Sequence, residues 1–436
     1  MMSSNKTQLY VYMNDILVGT LVRKSSRDLE FHYHPSWLER ENARPISLSM
    51  PIREKAYSGD VVNYFFDNLL PDNDKILDRI QREFGANSKK SFDLLYHIGA
   101  DCVGALQFLP ENVPSTSPRL QADLVDDASI AKLLKNYRTE PLGMAAENDF
   151  RISLAGAQEK TALLWYKKKW WRPKCGTPTT HIIKQPIGII KEYNIDLSDS
   201  VENEWLCLKI LSHFDLPVSH ADITMFDDVK ALVVERFDRK WNVAKTKLIR
   251  LPQEDMCQVL GFSPGLKYER YEGGPGILQI MKKLQGSDNA IMDRYNFMKT
   301  VFLFWLLAAP DGHAKNFSVF LKPKGRYQLT PLYDVISAYP LMKQRQIEER
   351  KLVLAMAVHG KNRHYRWNEI QLRHWHETAE KCHFPVADMQ KIIDEVFANV
   401  IDVISRVRSS LPKGFPAHIS DPIFSGLERM TKKYKS

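Results

Sequence analysis

The chain has no apolar run long enough to cross a bilayer, which takes about 20 residues. Its most apolar stretch is Val301-Phe302-Leu303-Phe304-Trp305-Leu306-Leu307-Ala308-Ala309-Pro310. That stretch reads as a helix buried on most sides and stopped by Pro310. The start, Met1 to Gln8, is polar and lacks the apolar core of an export signal, so a cytoplasmic protein is expected. Cysteine is scarce. Cys102, Cys175, Cys207, Cys257 and Cys382 show neither metal-ligand nor thioredoxin spacing and read as buried, reduced thiols. The 13 histidines form no pair at zinc-ligand spacing with a third ligand, which sets zinc aside. A Walker motif and a kinase glycine loop are missing. No internal repeat occurs.

What is present suits a globular chain of two or three domains, with 44% apolar and 26% charged residues over 436 positions. A net charge of +9 favours polyanionic partners such as ATP, tRNA or DNA. Runs such as Lys167-Lys168-Lys169 and Lys432-Lys433-Tyr434-Lys435 nevertheless read as solvated surface.

The informative segment is Asp311-Gly312-His313-Ala314-Lys315-Asn316, followed by Leu332-Tyr333-Asp334. An Asp, an Asn five positions on and a second Asp beyond supply the parts of a phosphotransferase. Asp311 can take a proton from an acceptor hydroxyl, while the Asn316 amide oxygen and the Asp334 carboxylate can hold Mg²⁺ against ATP phosphates. Mg²⁺ fills its other positions with phosphate and water, so a sparse protein set suffices.

Periodicity predicts an α+β chain. A hairpin, Leu9–Met13 with Ile16–Gly19 around Asn14-Asp15, opens it, and Phe31–His34 and Ile46–Met50 alternate like strands. Helices are expected over 63–70 up to Pro71, over 74–84 and over 92–98. The Pro/Ser/Thr-rich stretch 110–118 reads as a linker. Strands follow at 152–154, 160–165, 181–184 and 231–237, with a helix at 201–212 among them. Beyond Arg250 the chain is mainly helical, apart from strands at 316–321 and 327–332. The expected division is a β-rich subdomain (1–110), a β-rich lobe (128–240) and a helical lobe (241–436), a two-lobed protein-kinase-like arrangement.

Lys184 ends the strand His181-Ile182-Ile183 and can set its ammonium against phosphates, with Glu202 or Glu204 on the next helix to fix it. The loop Ser153-Leu154-Ala155-Gly156-Ala157-Gln158-Glu159-Lys160 is either a phosphate-covering loop or a plain tight hairpin. Glu235-Arg236-Phe237 stands where a hinge would meet adenine.

Several longer strings carry a family resemblance: 43–49, 65–72, 150–161, 179–184, 235–239, 250–258 and 311–317. Over essentially its full length the chain resembles the HipA family, the serine/threonine-protein kinase toxins of bacterial HipA–HipB toxin–antitoxin systems. The resemblance implies ATP- and Mg²⁺-dependent phosphorylation of glutamate–tRNA ligase, leading to growth arrest and persistence. It implies Asp311 as catalytic base and Asn316 and Asp334 as metal ligands. Lys184 would touch phosphate, with Glu235, Arg236 and Phe237 in the adenine region. Residues Leu154, Ala155, Gly156, Ala157, Gln158, Glu159 and Lys160 would cover the triphosphate, and His313, Ala314, Lys315, Asn316 and Tyr333 would line the rest. Ser153 matches the autophosphorylated serine, whose dianion would repel a bound triphosphate and eject the loop. The family also represses transcription with the HipB antitoxin, a helix-turn-helix dimer, on operator DNA. Lys381 and His383 are the candidate DNA contacts here, although Glu380 stands at an aligned basic position and opposes direct contact. The stretch 342–358 departs from the family pattern. The competing reading is a catalytically weak, kinase-shaped co-repressor that mainly binds antitoxin and operator DNA.

Overall fold

A computed structural model describes residues 7–25, 28–112, 120–135, 154, 158, 160–174, 176–191 and 193–435. The chain forms two compact units, each assembled from separate segments: residues 1–185, 224–265 and 318–327 in one, and 186–223, 266–317 and 328–436 in the other.

The first unit is built on sheets. The hairpin Gln8–Met13/Ile16–Ser25 turns at Asn14 and Asp15, both left-handed at φ 47° and 69°, which such a two-residue turn requires. It joins Asp28–Tyr33, Tyr57–Ser58 and Leu106–Leu109 in a five-stranded antiparallel sheet. Helices Asp60–Asp67, Asp74–Phe84 and Ser91–Ile98 accompany it. Phe66 packs between Phe31 and Phe108, with ring centroids 6.2 and 5.6 Å away. A six-stranded sheet runs in the order Ala221–Phe226, Val229–Glu235, His181–Lys184, Lys160–Tyr166, Lys169–Pro173 and Ala122–Val125.

The expected strand at 46–50 is a turn. Ser47 and Met50 form only an isolated bridge. The Tyr33 hydroxyl accepts from the Ile46 N–H and donates to the Met50 carbonyl, at 2.9 and 2.7 Å. Glu254 takes the Ser47 hydroxyl at 2.5 Å and the Leu48 N–H at 2.7 Å. Alternating apolar side chains predicted a strand, but the backbone groups go to side chains instead of a ladder.

The second unit is mainly helical. Ala290–Leu306 is buried throughout from Phe297 to Leu306, as an apolar run demands. It ends before Pro310. Ala308 is left-handed at φ 49°, and the Ala308 and Ala309 N–H groups close back on Trp305 and Phe304 at 3.1 and 2.8 Å. The termination is therefore a Schellman-type cap with alanine where glycine is usual, and the proline lies beyond it. Phe302, Trp305, Trp375 and Phe397 knit this helix to Leu372–Lys381 and Val386–Ser409, with rings 5.3–5.8 Å apart. Cys102, Cys207, Cys257 and Cys382 are buried free thiols; Cys175 lies outside the described residues. Among the described residues no helix is long and apolar enough to cross a membrane.

Candidate active site

In the second unit the chain leaves the Ala290–Leu306 helix and turns tightly through Asp311-Gly312-His313 into a short 3-10 turn, Ala314–Asn316. Gly312 is required there. A Cβ would come within 2.5 Å of the Phe304 ring, inside contact distance. The His313 N–H donates to the Asp311 carbonyl at 2.8 Å and the Asn316 N–H to the His313 carbonyl at 2.9 Å, which fixes the loop's shape. His313, Ala314, Lys315 and Asn316 are buried while Asp311 is exposed.

The Asn316 amide joins the acidic pair. Its Nδ2 donates to the Asp311 carbonyl at 2.7 Å and lies 3.4 Å from the Asp334 carbonyl. Both partners are pure acceptors, so the NH₂ end must face them and the amide oxygen faces the other way, the orientation a metal ligand needs. Asp334 is left-handed at φ 63°, which costs about 1 kcal/mol for a residue with a side chain. That conformation is held while the Tyr333 hydroxyl donates to the Lys315 carbonyl at 2.8 Å, tying the two segments together. Oxygen donors of this kind fit Mg²⁺.

One residue of this loop's surroundings was invisible in the sequence. The Tyr268 hydroxyl donates to Asp311 Oδ1 at 2.5 Å, and its ring meets His313 edge-on with centroids 5.0 Å apart. Tyr268 precedes Asp311 by 43 positions and belongs to no motif, so only the fold could reveal it.

In the first unit Lys184 ends the strand His181–Lys184 and Lys160 begins the strand Lys160–Tyr166. The two are direct antiparallel partners, so their side chains share one face, and they are 6% and 7% exposed. Such a pair suits a polyanion such as a triphosphate. The Gln158 side chain is used locally, its Nε2 donating to the Gln185 carbonyl at 2.7 Å. Leu154 is buried. Ser153, Ala155, Gly156, Ala157 and Glu159 lie outside the described residues. The expected carboxylate partners of Lys184, Glu202 and Glu204, are buried on the helix Ser200–His213 of the second unit.

Glu235 ends the strand Val229–Glu235 and is exposed, while the Phe237 ring packs edge-on against Phe320 at 5.7 Å. The Arg236 side chain is committed to the fold, which leaves only its backbone for the expected hinge. Its guanidinium is spent on Asp238, Asp101, Thr179 and the Cys102 carbonyl, at 2.8–3.4 Å, and is 1% exposed. Arg239 and Arg250 join it on Asp101 at 2.8 and 3.0 Å. Burial pushes the Asp101 carboxyl up, but Arg239, Arg250 and Arg236 outweigh burial and hold it well below the usual range. The same burial lowers the Arg239 guanidinium to about 10.

The DNA candidates are also modified by the structure. The Lys381 ammonium donates to the Gly360 carbonyl, a tie within the unit. His383 is exposed and left-handed at φ 51°, its carbonyl accepting from Arg294 at 2.7 Å.

Residues 152–404 match the model of the HipA-like C-terminal domain, and residues 9–109 that of the HipA N-terminal domain. The chain belongs to the HipA family. It is 33% identical over 339 residues to "Putative kinase Y4mE" of Sinorhizobium fredii, covering 76% of this chain and 78% of that protein. It is 27% identical over 369 residues to the serine/threonine-protein kinase toxin HipA of Shewanella oneidensis, covering 82% and 80%. The HipA chain in the S. oneidensis complex of HipA, HipB and operator DNA shares the fold, with a TM-score of 0.79, 24% identity and 97% of both chains covered. This HipA-family chain is thus an enzyme of the serine/threonine-protein kinase class.

Proposed function

We propose that the protein transfers the γ-phosphoryl group of ATP to a serine or threonine hydroxyl of a protein, with Asp311 as general base. The observation that carries this is the Asn316 amide donating to the Asp311 carbonyl and facing that of Asp334, which holds the three polar groups in one constellation. Mg²⁺ bound through Asn316 and Asp334 would supply charge neutralisation at the phosphates. Lys184, with Lys160 beside it, would offset further negative charge, and Glu235 and Phe237 would meet the base. The acceptor oxygen bonds to the γ-phosphorus as the β–γ bridging bond breaks; ADP leaves and Asp311 takes the acceptor's proton.

The family resemblance supports glutamate–tRNA ligase as the protein acceptor, and self-phosphorylation at Ser153 as the off-switch. A dianion at Ser153 would repel the triphosphate that the adjoining loop covers. The relative's complex with HipB and operator DNA supports assembly of this chain with an antitoxin as a co-repressor. With Lys381 already engaged, that assembly would reach DNA mainly through the antitoxin.

The test is incubation of the full chain with labelled ATP, Mg²⁺ and purified glutamate–tRNA ligase, followed by intact-mass and peptide mapping. Label on the ligase and on Ser153, lost in Asp311→Ala, is the expected result. Absence of label in both proteins would leave the binding role alone. Ser153→Ala should keep toxicity and Ser153→Asp should lose ATP binding, measured by calorimetry.

A further inference from the structure

We propose that a cavity beside Asp311 is the subsite for the residue flanking the acceptor serine or threonine, and that Tyr268 is its gate. This rests on the reading of Asp311 as base. The cavity measures about 320 Å³ and lies wholly within the second unit. Its walls are Tyr268, Arg270, Tyr271 and Glu272 on one side, Pro310 just before Asp311, and Val353, Leu354 and Ala355 on the other. The Ala355 N–H donates to the Pro310 carbonyl at 2.9 Å, which anchors the strand Val353–His359 directly to the residue before Asp311.

Two features decide what the cavity takes. Six of its eight lining residues are aromatic or aliphatic and the other two, Arg270 and Glu272, are of opposite charge, so the matching side chain is large and mainly apolar. Its position follows from the chemistry: an acceptor hydroxyl must come within about 3 Å of the base. A polypeptide delivering that hydroxyl to Asp311 must therefore run past Pro310, and a neighbouring side chain falls over the cavity. The occupant is an extended segment of a protein substrate.

Tyr268 explains how the site is kept closed. Its hydroxyl donates to Asp311 Oδ1 at 2.5 Å, the contact an acceptor hydroxyl would make. The phenol thus occupies the acceptor's place, and the two compete. Because Tyr268 also lines the cavity, rotation of its side chain off Asp311 frees the base beside the subsite. The closed population lowers apparent affinity for substrate in proportion to its share.

The experiment uses the full chain with Mg²⁺ and ATP on a peptide library that varies the positions flanking a single serine. Enrichment of a large apolar side chain at one flanking position is expected. Against the best peptide, Tyr268→Phe should lower the peptide KM about 5- to 10-fold, since one hydrogen bond to a carboxylate is lost from the competing state. Tyr271→Ala, at a residue 72% exposed, should raise the peptide KM about 10-fold. Neither should change the KM for ATP. No flanking preference, no peptide phosphorylation by an enzyme that labels itself, or peptide KM values within twofold of wild type in both variants would overturn the subsite. Asp311→Asn separates the two readings. If it retains transfer, the base assignment fails; if it is inactive while both tyrosine variants are silent, only the subsite falls.

Discussion

Asp101 and Asp311 are the same residue type put to opposite uses. Asp101, 2% exposed, is surrounded by Arg236, Arg239 and Arg250 and takes both hydrogen bonds of Thr179. Asp311 is exposed, and the Tyr268 hydroxyl is its described side-chain partner. A carboxylate whose lone pairs are filled by fixed guanidiniums is held for the fold, because removing any partner strands a charge out of water. A carboxylate met by one displaceable hydroxyl retains capacity for a substrate proton. Sequence motifs do not distinguish the two situations; saturation by partners does.

The sharpest way to break this comparison is Asp101→Ala. It leaves three buried guanidiniums without their shared anion and should cost about 3–5 kcal/mol, enough to abolish a stable fold, read by urea denaturation. Asp311→Ala should do the reverse. Transfer should fall about 10²- to 10⁴-fold in a labelled-ATP assay while the denaturation midpoint stays near wild type. Acid sharpens the contrast further. Asp101 and Asp238 are both held below the ordinary carboxylate range, Asp238 because Arg236 and Arg239 outweigh its burial. Their unfolded forms protonate near pH 3.9, so their stabilisation is fully present above about pH 4 and is lost as pH falls toward the lowered folded values. Denaturation midpoints that fall between pH 4 and pH 3 in the wild type are expected.

Lys160→Met tests the paired lysines. The KM for ATP should rise about 10-fold and ATP's protection against thermal unfolding should shrink. The smallest effect is reserved for an exposed ion pair. Asp402 and Arg406 meet at 2.8 Å but are 52% and 67% exposed, and Asp402→Ala should move stability by no more than about 0.5 kcal/mol. A larger loss would mean that ion-pair geometry, and not burial, governs these charges.

Much of the fold was legible because it rests on local pattern. The helix Asp74–Phe84 and the strand His181–Lys184 fall where periodicity puts them. Failures came where partners distant in sequence took over. Residues 46–50 alternate like a strand, yet Tyr33 and Glu254 capture their backbone groups. The helix before Asp311 ends at Leu306 because Ala308 accepts a left-handed conformation, which no propensity favours. Arg236, Asp238, Arg239 and Arg250 sit inside the strings that carry the family resemblance, and their side chains turn out to stabilise a buried ionic cluster.

The sequence by itself determined the chemical kind of this protein. The types and spacing of Asp311, Asn316 and Asp334, on either side of a short strand-forming segment, are those expected of a base and two oxygen ligands for a hard cation. Only tertiary structure decided which charges are available for that chemistry. Burial and partner saturation depend on residues tens or hundreds of positions apart, and no local pattern encodes whether Asp101 will be ringed by arginines or Asp311 capped by a tyrosine.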